Sequence, residues 1–163
     1  MRRVLTCMMT NNPGVLNRFT GALNRRQVNI DSISISPVVD PAVSRVTMAV
    51  YLADKAASTQ LLRQLEKQVD VFEVKDITDV PHIERELVLI KISALPEKRA
   101  ELLAMIQPFR AAIVDVSSVD VVVQITGTRS KVAALLRVVK PYGILKLVRT
   151  GVAGFPRAES TSD

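Results

Sequence analysis

Two periodicities of apolar residues succeed one another along this chain, and their order occurs twice. Val4, Leu5, Cys7, Met8 and Met9 form a short run in which both alternate sets of positions are apolar, as in a strand covered on both faces. Val15, Leu16, Phe19, Ala22 and Leu23 then recur at helical spacing. Ser32-Ile33-Ser34-Ile35-Ser36 alternates strictly, and Val46, Met48, Val50 and Leu52 alternate against Arg45, Thr47, Ala49 and Tyr51, the pattern of two antiparallel strands. The connection "PVVDPAVS" carries two prolines and reads as a longer hairpin loop. Asp54 caps a second helix with apolar positions Leu61, Leu62, Leu65 and Val69, and Val71 to Ile77 gives a fourth strand. The order is βαββαβ.

After "TDVPHIERE" the order returns, with strands at 87–92, 113–116, 119–125 and 144–148 and helices at 97–107 and 131–139, the latter stopped by Pro141. The fold class is therefore α+β, two tandem ferredoxin-like βαββαβ domains. The first occupies residues 1–78, a linker 79–83 and the second domain 84–150; residues 151–163 lack periodicity and read as a loose tail. At 163 residues and 48% hydrophobic content, the chain has apolar surface for two small cores.

The residue inventory excludes most chemistry. One histidine and one cysteine cannot assemble a His/Cys metal set or an intrachain disulfide. Cys7 lies mid-strand and reads as a buried structural thiol, His82 as a linker histidine, and Glu84, Arg85 and Glu86 as a salt-bridged strand entrance. The six glycines form no dinucleotide or phosphate-loop pattern, "TGTRSK" being only a faint echo. No catalytic residues emerge. The net charge of +6 is scattered rather than clustered, and the first and third strands, where an RNA-binding sheet of this topology stacks bases, offer Tyr51 as their single aromatic. Nucleic acid is not the expected partner. The second apolar face of the first strand is expected to pack on another copy of the chain, in a homodimer. No apolar stretch reaches the roughly 20 residues needed to cross a bilayer, and "MRRVLTCMMTNN" has no signal-peptide h-region, so a cytoplasmic protein without membrane contact is expected.

One stretch, "TNNPGVLNRFTGALNRRQVNIDSISIS", holds residues that a core does not demand. Gly14 at the first turn of a helix lets backbone N–H groups approach an anion, and the helix N-terminus supplies partial positive charge. Asn11 and Asn12 offer donors and acceptors for an ammonium and a carboxylate. These features fit a capped, tight helix entry as well as an amino-acid site; Asn29, at the start of the second strand, is harder to read as a cap.

The run "NNPGVLNRFTGALNRRQVNIDSI" resembles the ACT domain, a small-molecule regulatory module with Asp-x-Pro-Gly-x-Leu followed by Asn-Ile before its second strand. With "VNIDSISISPVVDPAVSRVTM", "LEKQVDVFEVKDI", "ERELVLIKI", "FRAAIVDV", "ITGT" and "VRTGVAG", nearly the whole chain is similar to the small regulatory subunits of acetolactate synthase, also called acetohydroxyacid synthase. The resemblance implies a chain without an active site, bound to a large catalytic subunit that carries thiamine diphosphate, Mg2+ and FAD. It implies activation of that subunit and feedback inhibition by valine in branched-chain amino acid biosynthesis. It also implies valine held between two ACT domains of a dimer: Asn11, Gly14, Val15 and Leu16 from one chain, Asn29 and Ile30 from the other. The alternatives are a stand-alone amino-acid-binding ACT module with another target and, further off, an RNA-binding protein.

Overall fold

The computed structural model describes residues 1–157. They fall into two compact units, one of Met1–Ile83 together with the segment that begins at Gly151, the other of Glu84–Thr150.

In the first unit, β1 (Arg2–Thr10), α1 (Val15–Asn24), β2 (Asn29–Pro37), β3 (Val43–Tyr51), α2 (Lys55–Glu66) and β4 (Val71–Asp76) follow the expected order. The strands lie β2-β3-β1-β4, each pair antiparallel. Successive side chains of a strand point to opposite faces, which sends Leu5, Cys7 and Met9 of β1 to the same side as Val46, Met48 and Val50 of β3. Phe19 and Leu23 of α1 and Leu61 and Leu65 of α2 close over them to form the core. Burial pushes the Cys7 thiol up to about 12, which keeps it protonated and inert, as its place in the strand suggests. Asp54 caps α2 by accepting from the Ala57 amide at 2.7 Å. That helix ends at Glu66, short of the expected Val69: the Gln68 amide donates to Leu65 O and the Val71 amide to Gln68 O, so Val69 sits in the turn, fully exposed.

The second unit contains β5 (His82–Ser93) from Glu84 onward, α3 (Pro96–Ile106), β6 (Ala112–Val116), β7 (Asp120–Gly127), α4 (Arg129–Val139) and β8 (Ile144–Arg149). Its strand order, β6-β7-β5-β8, repeats the 2-3-1-4 order of the first unit. Val88, Ile90 and Ile92 of β5 pack with Leu102, Ile106, Leu135 and Val139 of the helices. The segment read as a linker, 79–83, runs directly into strand, because β5 begins at His82.

Two expectations are corrected beyond Thr150. The stretch read as a loose tail contains a further strand, β9 (Ala153–Pro156), beside which the Arg157 amide donates to Pro81 O at 2.8 Å; residues 158–163 of that stretch lie outside the described residues. The segment leading into β9 also covers the second face of β1 at Val4. Val152 joins Val4, Ala49 and Ile77 in a small buried cluster, the Val152 amide donates to Ser32 Oγ at 3.4 Å, and Thr47 Oγ1 donates to Gly154 O at 3.4 Å. The chain itself therefore supplies cover that the sequence assigned to another copy.

Candidate functional site

The turn from β1 into α1 is built around one left-handed residue. Gly14 precedes the helix at φ 84°, ψ −16°, a conformation that costs a residue with a Cβ about 1–2 kcal/mol. No side chain caps the helix; instead the Asn12 carbonyl accepts from the Val15 amide at 3.3 Å. The expected Asn cap is thus replaced by a backbone turn. Asn11 serves a different purpose. Its backbone N–H donates to Ala42 O at 2.7 Å and its Nδ2 to Pro41 O at 2.9 Å, which fastens the turn to the β2–β3 connection.

Of the apolar residues expected here, Val15 turns inward and is 2% exposed, part of the core beneath α1. It offers no side-chain surface to a ligand, which corrects the expectation. Leu16, the next residue around the helix, faces outward and is 45% exposed.

Arg18 also belongs to this turn. Its Nε and Nη2 donate to Asp70 Oδ2 at 3.0 and 2.6 Å, and a Cβ at position 14 would stand 3.4 Å from its Nη1. Asp70 also accepts from Thr10 Oγ1 at 3.2 Å, and the Arg18 hydrogen bonds hold its carboxyl below the usual carboxylate range. The ion pair with Asp70 cancels the net charge of the guanidinium but fixes its Nη1 beside Gly14, as a hydrogen-bond donor for an anionic group at the helix N-terminus. The signal for it in the sequence is the four-residue spacing from Gly14 to Arg18, which places both on one helical face.

Asn29 and Ile30 open β2, an edge strand. Asn29 is exposed, with no side-chain hydrogen bond among the described residues. Ile30 is half-buried against the core.

The expected residues therefore form two groups, and one chain does not bring them together. Thr10, just before the turn, pairs with Val43 of β3, whereas Asn29 pairs with Tyr51, eight residues further along the same strand. At 3.4 Å per residue the two groups stand about 27 Å apart, at opposite ends of the sheet. Asn11, Gly14 and Leu16 of the first group and Asn29 of the second are exposed, and β2 lies at the edge of its sheet.

Comparison with known proteins shows the family. Residues 5–73 match the family described as AHAS small subunit-like ACT domain, and residues 85–158 the family described as small subunit of acetolactate synthase. The acetolactate synthase small subunit of Bacillus subtilis (strain 168) is 44% identical over 157 residues, covering 96% of this chain and 91% of that protein. The chain belongs to the acetolactate synthase small-subunit family. The small subunit of Lactococcus lactis subsp. lactis (strain IL1403) is 48% identical over 96% of this chain and 99% of its own length. The crystal structure of the small subunit from Thermotoga maritima superposes with a TM-score of 0.88 at 31% identity, covering 97% of this chain and 98% of that one. The ACT unit of this family member is the one that carries both groups of residues.

Proposed function

We propose that the protein is the regulatory subunit of an acetolactate synthase, that it raises the activity of a large catalytic subunit, and that it makes that activity sensitive to valine. The catalytic subunit carries the thiamine diphosphate, Mg2+ and FAD; this chain contributes no reacting group. The single observation behind the effector site is the separation of about 27 Å between its two groups, which are complementary in character yet unable to meet within one chain. A two-fold axis beside the exposed edge of β2 sets the Gly14 turn of one chain against Asn29 of the other, and does so twice.

In that arrangement the valine carboxylate lies at the N-terminus of α1, toward Gly14 and Arg18, and Asn29 of the second chain binds the polar end from across the axis. The isopropyl group packs between Leu16 and Ile30, a burial worth about 1.5–3 kcal/mol. A ligand held by two chains favours one relative angle of the two ACT units over others, and the catalytic subunit reads that angle. Reciprocity follows: valine binds less tightly to the activated complex by the factor through which it weakens activation.

Titration of the chain into its catalytic subunit, with acetolactate formation as readout, tests this reading. The rate rises to a plateau, valine lowers the plateau, and the chain alone forms no acetolactate. A rate unchanged across the titration would end the regulatory reading.

A further inference from the structure

A cavity of about 320 Å³ lies on the face of the first unit's sheet away from its helices, walled by Thr6, Cys7, Met8, Arg45, Glu73, Lys75, Phe155 and Pro156. Its volume falls within the range of small-molecule sites. Register explains how two cations come to share it. Thr6 pairs with Lys75 of β4, and Met8 pairs with Arg45 of β3, so the cations stand on the two strands that flank β1, on one face, two residues out of step. From strand spacing their Cα atoms are about 12 Å apart, a separation that two long side chains close around one oxyanion. Neither Arg45 nor Lys75 has an ion-pair partner among the described residues.

The wall of β4 is irregular at this point. Between the pairs Thr6–Lys75 and Met8–Phe72, Glu73 and Val74 oppose Cys7 alone, a β-bulge, and Glu73 has φ 51°, in the left-handed region. Bulges and non-glycine residues with positive φ gather where a strand re-aims a side chain at a site. On the opposite wall Phe155 is 53% exposed, and Met8 and Pro156 complete an apolar side. We infer that this cavity binds a small organic anion, with a carboxylate or phosphate group between Arg45 and Lys75 and a planar or apolar part against Phe155. The inference is independent of the valine site, because none of Asn11, Gly14, Leu16, Asn29 and Ile30 lines the cavity.

Phenyl phosphate and phenylacetate serve as probes, titrated into the isolated chain by calorimetry, with inorganic phosphate to show what the ring adds. At least one probe binds saturably, the tighter of the two names the oxyanion, and inorganic phosphate binds more weakly. Arg45→Gln and Lys75→Gln each weaken binding at least about tenfold, the size of a lost charge-assisted hydrogen bond. Glu73→Gln tightens it by removing a like charge, an effect that general loosening of the fold does not produce. Arg63→Gln, on the exposed face of α2, leaves it unchanged and controls for non-specific attraction to a basic protein. Should Arg45→Gln fail to fold, exposed Lys75 carries the test through Lys75→Gln. The inference is overturned if no probe saturates, if Lys75→Gln binds like the parent, or if Arg63→Gln weakens binding as much as Lys75→Gln does.

Discussion

Arg3, at 6% exposure, is the most buried cation of the first unit and joins three elements. Its Nε donates to Asp76 Oδ2 at 2.7 Å and its Nη2 to Asp79 Oδ2 at 2.9 Å. Asp76 also accepts from Ser58 Oγ of α2 at 2.6 Å, and from Thr78 through its hydroxyl at 2.7 Å and its amide at 3.0 Å. Burial raises the Asp76 carboxyl, but the Ser58, Thr78 and Arg3 hydrogen bonds together outweigh it and hold the group below its ordinary value. A depressed carboxyl stabilises the fold above its unfolded value, near pH 4, and that contribution is lost as pH falls through the folded value. Urea midpoints are therefore expected to stay level from pH 7 to 5 and to drop below pH 4, with Asp76→Asn less stable at pH 7 and its acid decline shallower. Arg3→Met, which leaves a buried carboxylate without its cation, is expected to cost about 3 kcal/mol in urea unfolding at pH 7. A variant within 0.5 kcal/mol of the parent, the range about usual for surface changes, would show the pair to be incidental. None of this network was legible in the sequence, because residues 3 and 76 meet only once β1 and β4 are adjacent.

At the scale of elements, periodicity exposed the four α-helices and all but one of the strands among the described residues. Alternation over five or more residues, or a helical stripe with a cap such as Asp54, is a local property that tertiary context had no need to override. β9 escaped because four residues containing a glycine show no period, and its partner lies about 70 residues earlier. The approach to it is equally specific. Gly151 has φ 83°, and a Cβ there would stand 3.1 Å from the Ser32 Cβ, so the chain crosses the sheet at a distance that glycine permits. The burial of Val152 then accounts for the apolar Val4 on the second face of β1 without a second chain, whereas Met8 on the same face lines the cavity. Leu5→Asp or Cys7→Asp consequently strikes the core under the helices and unfolds the unit rather than separating a dimer. Val152→Ala removes two buried methyl groups and is expected to lower thermal stability by about 1.5 kcal/mol, readable as a fall in melting temperature. An unchanged melting temperature would mean that this segment does not cover β1 in solution.

At the scale of the whole molecule, the residues proposed for an effector site stood out singly in the sequence, and their separation along the sheet did not. The glycine before α1 and the asparagine before β2 stand out because no core needs them, whereas the side-chain directions that bury Val15 and bring Arg18 to the turn depend on the helix's seat on the sheet. In the proposed arrangement each valine site takes its two groups from different chains. Gly14→Asp sets bulk and negative charge at the helix N-terminus, and Asn29→Ala removes a polar partner at a cost of about 1–3 kcal/mol; each variant alone is expected to lose or weaken valine binding while still activating the catalytic subunit. The decisive measurement is calorimetric titration of valine into the two variants after they are unfolded together in equal amounts and refolded. In a mixed dimer both defects fall in one site and the other site is intact, so random pairing restores parent affinity at about a quarter of all sites. No recovery of parent-affinity sites in verified mixed dimers would contradict a site shared between chains.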